Sequence, residues 1–107
     1  MNYDINVYWR NNDERNEALA LQKLLIENSV QTFPFVEKPI GPHPYPIFES
    51  HVTNQKLTVI ESSLITNRKS CSILIHEKTG DHVYDHTKGA RFLGEPHELN
   101  IEFLRNF

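Results

Sequence analysis

Tyr3-Asp4-Ile5-Asn6-Val7-Tyr8-Trp9 alternates along its length. Tyr3, Ile5, Val7 and Trp9 fall on one side and Asp4, Asn6 and Tyr8 on the other, the pattern of a half-buried strand. The segments after this strand decide the fold. Asn11-Asn12-Asp13 supplies helix N-caps, Glu14 suits the positive end of a helix dipole, and Ala18, Leu21, Leu24 and Leu25 recur at helical spacing before Asn28 stops the run. Val30 to Ile40 holds Phe33, Phe35 and Val36 but also Pro34 and Pro39. Proline cannot donate to a sheet ladder, so this stretch reads as an irregular or edge strand. Gly41-Pro42-His43-Pro44-Tyr45-Pro46 reads as a rigid loop whose prolines fix the backbone around one histidine. Ile47 to Val52 is a third strand. Thr53 caps a second helix in which Leu57, Ile60 and Leu64 share a face, and Cys71 to His76 is a fourth strand. Lys78-Thr79-Gly80-Asp81 is a turn, and the tail from Arg91 to Phe107 carries no assignable pattern. The order β-α-β-β-α-β plus a tail predicts an α+β, ferredoxin-like sandwich: a four-stranded antiparallel sheet with two helices on one face and a C-terminal extension.

The length of 107 residues fits a single domain over 1–107. With 38% hydrophobic and 23% charged residues the chain is too apolar for disorder, and its longest apolar runs fall far short of a spanning helix, so no membrane partner is expected. A net charge of −3 lacks the basic excess of a phosphate-tracking protein, so nucleic acid is not expected either. A domain of this size buries only about two thirds of its chain surface, so a dimer interface would help to stabilise it. The start, Met1-Asn2-Tyr3-Asp4, lacks a basic region followed by an apolar one, and a cytoplasmic location is the default expectation. Cys71 cannot close an intrachain disulfide and reads as a small buried hydrophobe.

Strand alternation assigns faces. Ile5, Val7, Phe48, Val52, Ile73 and Ile75 point to the helices, while Leu74 points to the opposite face. With the first strand between the third and the fourth, Asn6, Tyr8, Glu49, His51 and His76 form one polar patch on that opposite face, with His43 at its rim. Two readings stand for such a patch. One is a solvated face or a dimer interface. The other is a metal site, since neutral imidazole binds iron, zinc and copper, and two His with one carboxylate leave Fe(II) positions open for substrate and O₂.

The six histidines divide accordingly. His43, locked between prolines, suits function and structure equally. His76 ends an apolar strand and is either a ligand or a satisfied buried residue. His82 and His86 would share a face on a helix, but Gly80-Asp81 and Asp85 argue for turns. Asp85 either orients the His86 ring or lies exposed beside it. His51 reads as a strand surface residue, and His97, after Pro96, as solvent-exposed.

Gly41-Pro42-His43-Pro44, Ser72-Ile73-Leu74-Ile75-His76-Glu77-Lys78-Thr79-Gly80-Asp81, Asp85-His86 and Phe92-Leu93-Gly94-Glu95-Pro96 together resemble the DOPA 4,5-dioxygenase family of small aromatic ring-cleaving dioxygenases. Tyr3-Asp4-Ile5-Asn6-Val7-Tyr8 and Asn67-Arg68 also match, so the resemblance runs in order through nearly the whole chain. It implies a ferredoxin-like fold, a homodimer through the open sheet face, non-haem Fe(II) (or Zn or another divalent ion in its place), and extradiol cleavage of a DOPA-like or other small catechol with O₂. It implies metal ligation by His43, His76 and His86, and proton transfer by a nearby His or Glu, with His43, His86 and Glu49 as candidates. Asn6, Tyr8 and His51 are then the substrate-binding candidates of the patch.

The chain departs from that pattern in two places. Asn6 stands where the family has a first-strand His, and Gly89 where a second His follows the Asp-His pair. His51 or Glu49, from the neighbouring strand, could compensate. The rival reading is a catalytically degenerate relative that keeps the fold and serves as a dimeric small-aromatic-binding or protein-interaction module. A further rival is a ligand-binding module of this architecture with no metal history.

Overall fold

The computed structural model describes residues 1–106. Five strands and four helices succeed one another: β1 (Asn2–Tyr8), α1 (Asn12–Glu27), β2 (Gln31–Thr32), β3 (Ile47–Thr53), α2 (Asn54–Asn67), β4 (Ile73–Glu77), α3 (His82–Asp85), β5 (Ala90–Leu93) and α4 (Ile101–Arg105). The strands form one sheet in the order β2-β3-β1-β4-β5, and every neighbouring pair is antiparallel.

Local chemistry sets the boundaries. The Asn11 side chain accepts the Glu14 N–H at 2.9 Å and opens α1. Thr53 ends β3 and turns the chain directly into α2, its hydroxyl accepting the Lys56 N–H at 3.2 Å. The proline-containing stretch pairs only through Gln31–Thr32 at the sheet edge and through an isolated bridge between Val36 and Ile47, as a segment short of N–H donors must.

The expected side-chain facing holds. Ile5, Val7, Phe48, Val52, Ile73 and Ile75 share one buried cluster with Ala18, Leu21 and Leu25 of α1 and Leu57, Ile60 and Leu64 of α2. Trp9 stacks on Phe35, and Phe35 on Phe48, with centroids 4.3 and 5.5 Å apart, which closes the β2 end of this layer. Cys71 is fully buried, donates to the Glu14 carbonyl at 3.2 Å, and has its thiol pushed up to about 12 by burial, so it is a packed thiol rather than a nucleophile.

Two expectations need correction. The sheet has five strands, not four. Ala90–Leu93, in the tail without an assignable pattern, pairs with β4 from His76↔Ala90 to Ile73↔Leu93. Four residues are too few for a period-two signal to show above composition. The Gly80-Asp81 region is not all turn either. Asp81 accepts the Tyr84 N–H at 3.0 Å and caps the short helix α3, which turns the chain back toward β4.

The second sheet face is not open. Tyr8, Ile47 and Leu74 are buried there under Val36, Tyr45, Ala90, Phe92 and Leu99, and Asn6 has no exposed surface. The tail is fastened to the proline loop by the Asn100 N–H, which donates to the Pro42 carbonyl at 2.8 Å. The chain thus covers much of this face itself, while Glu49 and His51 on it stay partly exposed. Among the described residues, no helix is long and apolar enough to cross a membrane.

Candidate functional site

β1 lies between β3 and β4, so its second-face residues each meet two cross-strand neighbours. Asp4 lies opposite His51 on β3 and His76 on β4, while Asn6 lies opposite Glu49 and Leu74. The proline loop brings His43 over Tyr8, and α3 brings His86 over His76. Ring centroids are 4.2 Å apart for His76 and His86 and 6.1 Å for His43 and His86. Imidazoles from positions 43, 76 and 86 therefore meet on one face of the sheet, with Tyr8 beneath the first of them.

Each ring is held by its Nδ1. His76 Nδ1 donates to the Glu77 carbonyl at 2.8 Å, and His86 Nδ1 to the His82 carbonyl at 2.8 Å. A carbonyl can only accept, so both protons sit on Nδ1, which leaves Nε2 as the ligand atom of each neutral ring. His43 Nδ1 lies 2.7 Å from the Tyr8 hydroxyl. Burial, reinforced by the neighbouring His86 and His76, lowers the His43 pKa to about 4, and burial also lowers that of His86. These two rings are uncharged at neutral pH, the form in which imidazole donates to a metal. Burial holds the Tyr8 phenol above its usual range, so it stays protonated.

Asp4 extends the group. Its Oδ2 lies 3.6 Å from His76 Nε2, and its Oδ1, with no hydrogen-bond partner, lies 3.3 Å from His51 Nε2 and 3.8 Å from Lys78 Nζ. Lys78 Nζ donates to His51 Nδ1 at 3.3 Å, so a neutral His51 carries its proton on Nε2 and donates to Glu49 Oε2 at 3.1 Å. The ligand atoms of Asp4, Glu49 and His51 all lie within 4.8 Å of one another. His51 is thus a member of the polar group and not simply a strand surface residue.

Among the described residues, Asp4, Glu49 and His51 form the group whose ligand atoms lie close enough to hold a divalent ion, whereas His43, His76 and His86 approach one another as rings. When His76 is neutral, its Nε2 lone pair and the Asp4 carboxylate face each other across 3.6 Å, two acceptors that a proton or a cation must separate. Asn6 is fully buried between Asp4 and Tyr8 on the same face, and neither atom of its amide has a hydrogen-bond partner. Buried polar atoms without partners are uncommon and costly, and a bound ion, water or ligand would satisfy them.

Two further readings change. Asp85 does not orient the His86 ring. It is buried, and its carboxylate accepts the Thr79 hydroxyl at 2.6 Å and the Thr79 N–H at 3.0 Å, fixing the start of the β4–α3 connection. His97 is not a free surface residue. Its ring stands edge-on to Tyr45 and Tyr8, with centroids 5.0 and 5.6 Å away, and its Nε2 is buried without a partner. Pro96 gave no hint of this, because the contact exists only once the tail has folded back over the sheet. Asp4 was the other residue missed. Its membership results from the same alternation that selected Asn6 and Tyr8.

Gly89 has a steric explanation. A Cβ there would lie 3.0 Å from Tyr84 Cε2 and 3.1 Å from Glu77 Oε2, where Tyr84 donates its hydroxyl to Glu77 at 3.0 Å. A histidine at this position would have to displace that pair.

Beside His43 lies a cavity of about 570 Å³, walled by Phe33, Pro34, Val36, Ile40, Ile47 and Phe103, with Glu49 at its polar end. Its size and apolar walls suit a small aromatic molecule.

A family model described as the Dopa 4,5-dioxygenase family matches residues 3–103. The chain belongs to that family. It is 27% identical over 111 residues to the DOPA 4,5-dioxygenase of Amanita muscaria, covering 95% of this chain and 49% of that protein. It is also 28% identical over 117 residues to an uncharacterized 21.2 kDa protein of Botryotinia fuckeliana, covering 96% of this chain and 63% of the relative. The chain thus spans between about half and just under two thirds of the length of these relatives. Among solved structures it superposes on a Nostoc punctiforme protein named a "putative dioxygenase", with a TM-score of 0.92 and 33% identity over 98% of this chain and 91% of that one. Gly-Pro-His-Pro and Asp-His, the local motifs that suggested the family, carry the two loop imidazoles of the site.

Proposed function

We propose that this protein is a non-haem Fe(II) extradiol dioxygenase acting on a small catechol. The observation that carries the reading is the approach of the His43, His76 and His86 rings to one another, with His43 also lining an apolar cavity of aromatic size. Membership of the family and likeness to a DOPA 4,5-dioxygenase support it.

In this reading His43, His76 and His86 hold the metal, and Asp4, beside His76, offsets its charge. When bound, Fe(II) supplies Lewis acidity to the two catechol oxygens and a place for O₂ next to them. The protein does the rest. The Glu77 and His82 carbonyls and the Tyr8 hydroxyl orient the three rings before substrate arrives. The apolar walls exclude water from the ring and orient its plane. Glu49, at the polar end of the cavity and bonded to His51, is the carboxylate positioned to accept a catechol proton, and His51 steadies it. Asn6, with both amide atoms unpartnered, is available to bond bound substrate or a water beside it.

The test is direct. Purified protein reconstituted anaerobically with Fe(II) and then given a catechol and air should consume O₂ and form a yellow semialdehyde. The His43→Ala and His76→Ala variants should lose both iron and product. A protein that holds no iron and opens no catechol ring would instead be the degenerate relative, a reading that Asn6 in place of a strand histidine favours. His51→Ala separates the two carboxylate-side roles: unchanged iron affinity with slowed turnover fits support of Glu49, whereas lost iron affinity would place the metal among Asp4, Glu49 and His51.

A further inference from the structure

Asp4 turns its two carboxylate oxygens toward different strands. Oδ2 faces His76 on β4 at 3.6 Å, whereas Oδ1 faces His51 Nε2 on β3 at 3.3 Å. Glu49 Oε2 lies 3.1 Å from the same Nε2. A neutral imidazole carries one proton on that nitrogen, and Glu49 receives it. Asp4 Oδ1 is left buried without a hydrogen bond, on a side chain only 10% exposed. Asp4 and Glu49 set two negative charges against the one ammonium of Lys78, which lies 3.8 Å from Oδ1. That ammonium sits on a flexible, half-exposed stem and can withdraw into water. The Phe33 ring packs on the His51 imidazole with centroids 4.8 Å apart, and a cavity of about 330 Å³ opens beside His51 and Lys78.

We propose that Asp4 Oδ1, Glu49 and His51 Nε2 form a second divalent-cation site, separate from the three-imidazole site, with Lys78 as its internal competitor. Two carboxylates and one imidazole suit Mn(II) or Zn(II). As the ion enters, the His51 proton passes through solvent from Nε2 to Nδ1, which frees Nε2 to ligate. Nδ1 then no longer accepts from Lys78, and the ion's charge repels the ammonium outward. Asp4 Oδ1 gains the partner it lacks. The site itself stands without the dioxygenase reading, and only its consequence rests on that reading. Glu49 holds either the ion or a catechol proton, so filling the second site inhibits ring opening.

Mn(II) is the probe, and loss of the six-line EPR signal of the free ion reads its binding to the full chain. In the His86→Ala variant, whose three-imidazole site is broken, one Mn(II) should remain bound. Adding His51→Ala or Glu49→Gln, both at partly exposed positions, should weaken that binding roughly tenfold or more. Adding Lys78→Met instead should tighten it several-fold. Circular dichroism matching the parent confirms that each variant is folded. No Mn(II) on His86→Ala, binding that His51→Ala and Glu49→Gln leave unchanged, or weaker binding in Lys78→Met overturns the proposal. On the iron-loaded parent, Mn(II) at concentrations that fill the site should slow oxygen uptake with iron content unchanged, and undiminished uptake would overturn the inhibitory consequence. A filled second site on a protein that opens no catechol ring leaves the site standing and removes the dioxygenase reading. Ring opening by a protein whose His86→Ala variant binds no Mn(II) does the reverse.

Discussion

The Tyr8 hydroxyl lies 2.7 Å from His43 Nδ1, joining the fully buried end of the central strand to a histidine clamped between two prolines. This contact fixes a loop side chain to the sheet and so fixes the distance between His43 and the strand-borne His76. Tyr8→Phe keeps the ring but removes the bond. We expect a loss of about 1 kcal/mol in urea denaturation, the net worth of one such bond. We also expect several-fold weaker Fe(II) binding by competition with a chelator. Iron affinity equal to that of the parent would show that the prolines alone position His43.

Asn6→Leu tests the two unpartnered amide atoms. The side chains share the same branched heavy-atom skeleton, Leu being the bulkier, and Leu74 and Tyr8 already provide apolar neighbours on that face. Removing a buried amide without partners should stabilise the metal-free protein by about 1–3 kcal/mol. The same change should weaken catechol binding to the iron-loaded protein. If the denaturation midpoint falls instead, a water or ion satisfies Asn6 in the resting protein.

Asp85→Ala removes the acceptor of both Thr79 bonds from a buried position. A cost of about 2–3 kcal/mol is expected, since bonds to an ionised acceptor are the stronger kind. Because α3 carries His86, iron affinity should fall as well. Asp85→Asn, which can still accept, should recover much of the stability, and that partial rescue separates positioning from simple unfolding.

Acid should destabilise the metal-free protein before its carboxylates titrate. His43 has its pKa lowered to about 4, and burial lowers those of His86 and His97 too. Between about 4 and the ordinary histidine value near 6.5 the unfolded chain binds more protons than the folded one, so stability is full above that window and falls as pH drops through it. Urea midpoints measured from pH 7.5 to 4.5 should decline in the parent and decline less steeply in His43→Gln. A parallel decline in both would assign the acid sensitivity to other groups.

How far the sequence reached is clearest in β1. Alternation from Tyr3 to Trp9 determined which side chains enter the helix-facing core and which line the second face, and every facing assignment made for β1, β3 and β4 holds. Such patterns are local, because a strand repeats every two residues and a helix cap lies beside the helix it opens. The motifs around His43, His76 and His86 were legible for the same reason.

Other features depended on distant chain. β5 is too short to show a pattern and exists because β4 offers it an edge. His97 reaches Tyr8, Asp85 turns to Thr79 rather than to His86, and Asp4 stands between two histidines, each from a strand far away in sequence. The second face, expected to await a partner, is largely covered by the proline loop and the tail, which Asn100 and Pro42 hold together. Periodicity tells a residue which way to point, and the sequence therefore settled the two sides of the sheet. What each polar group would meet there depended on strand order and chain reversal, and only the folded chain decided it.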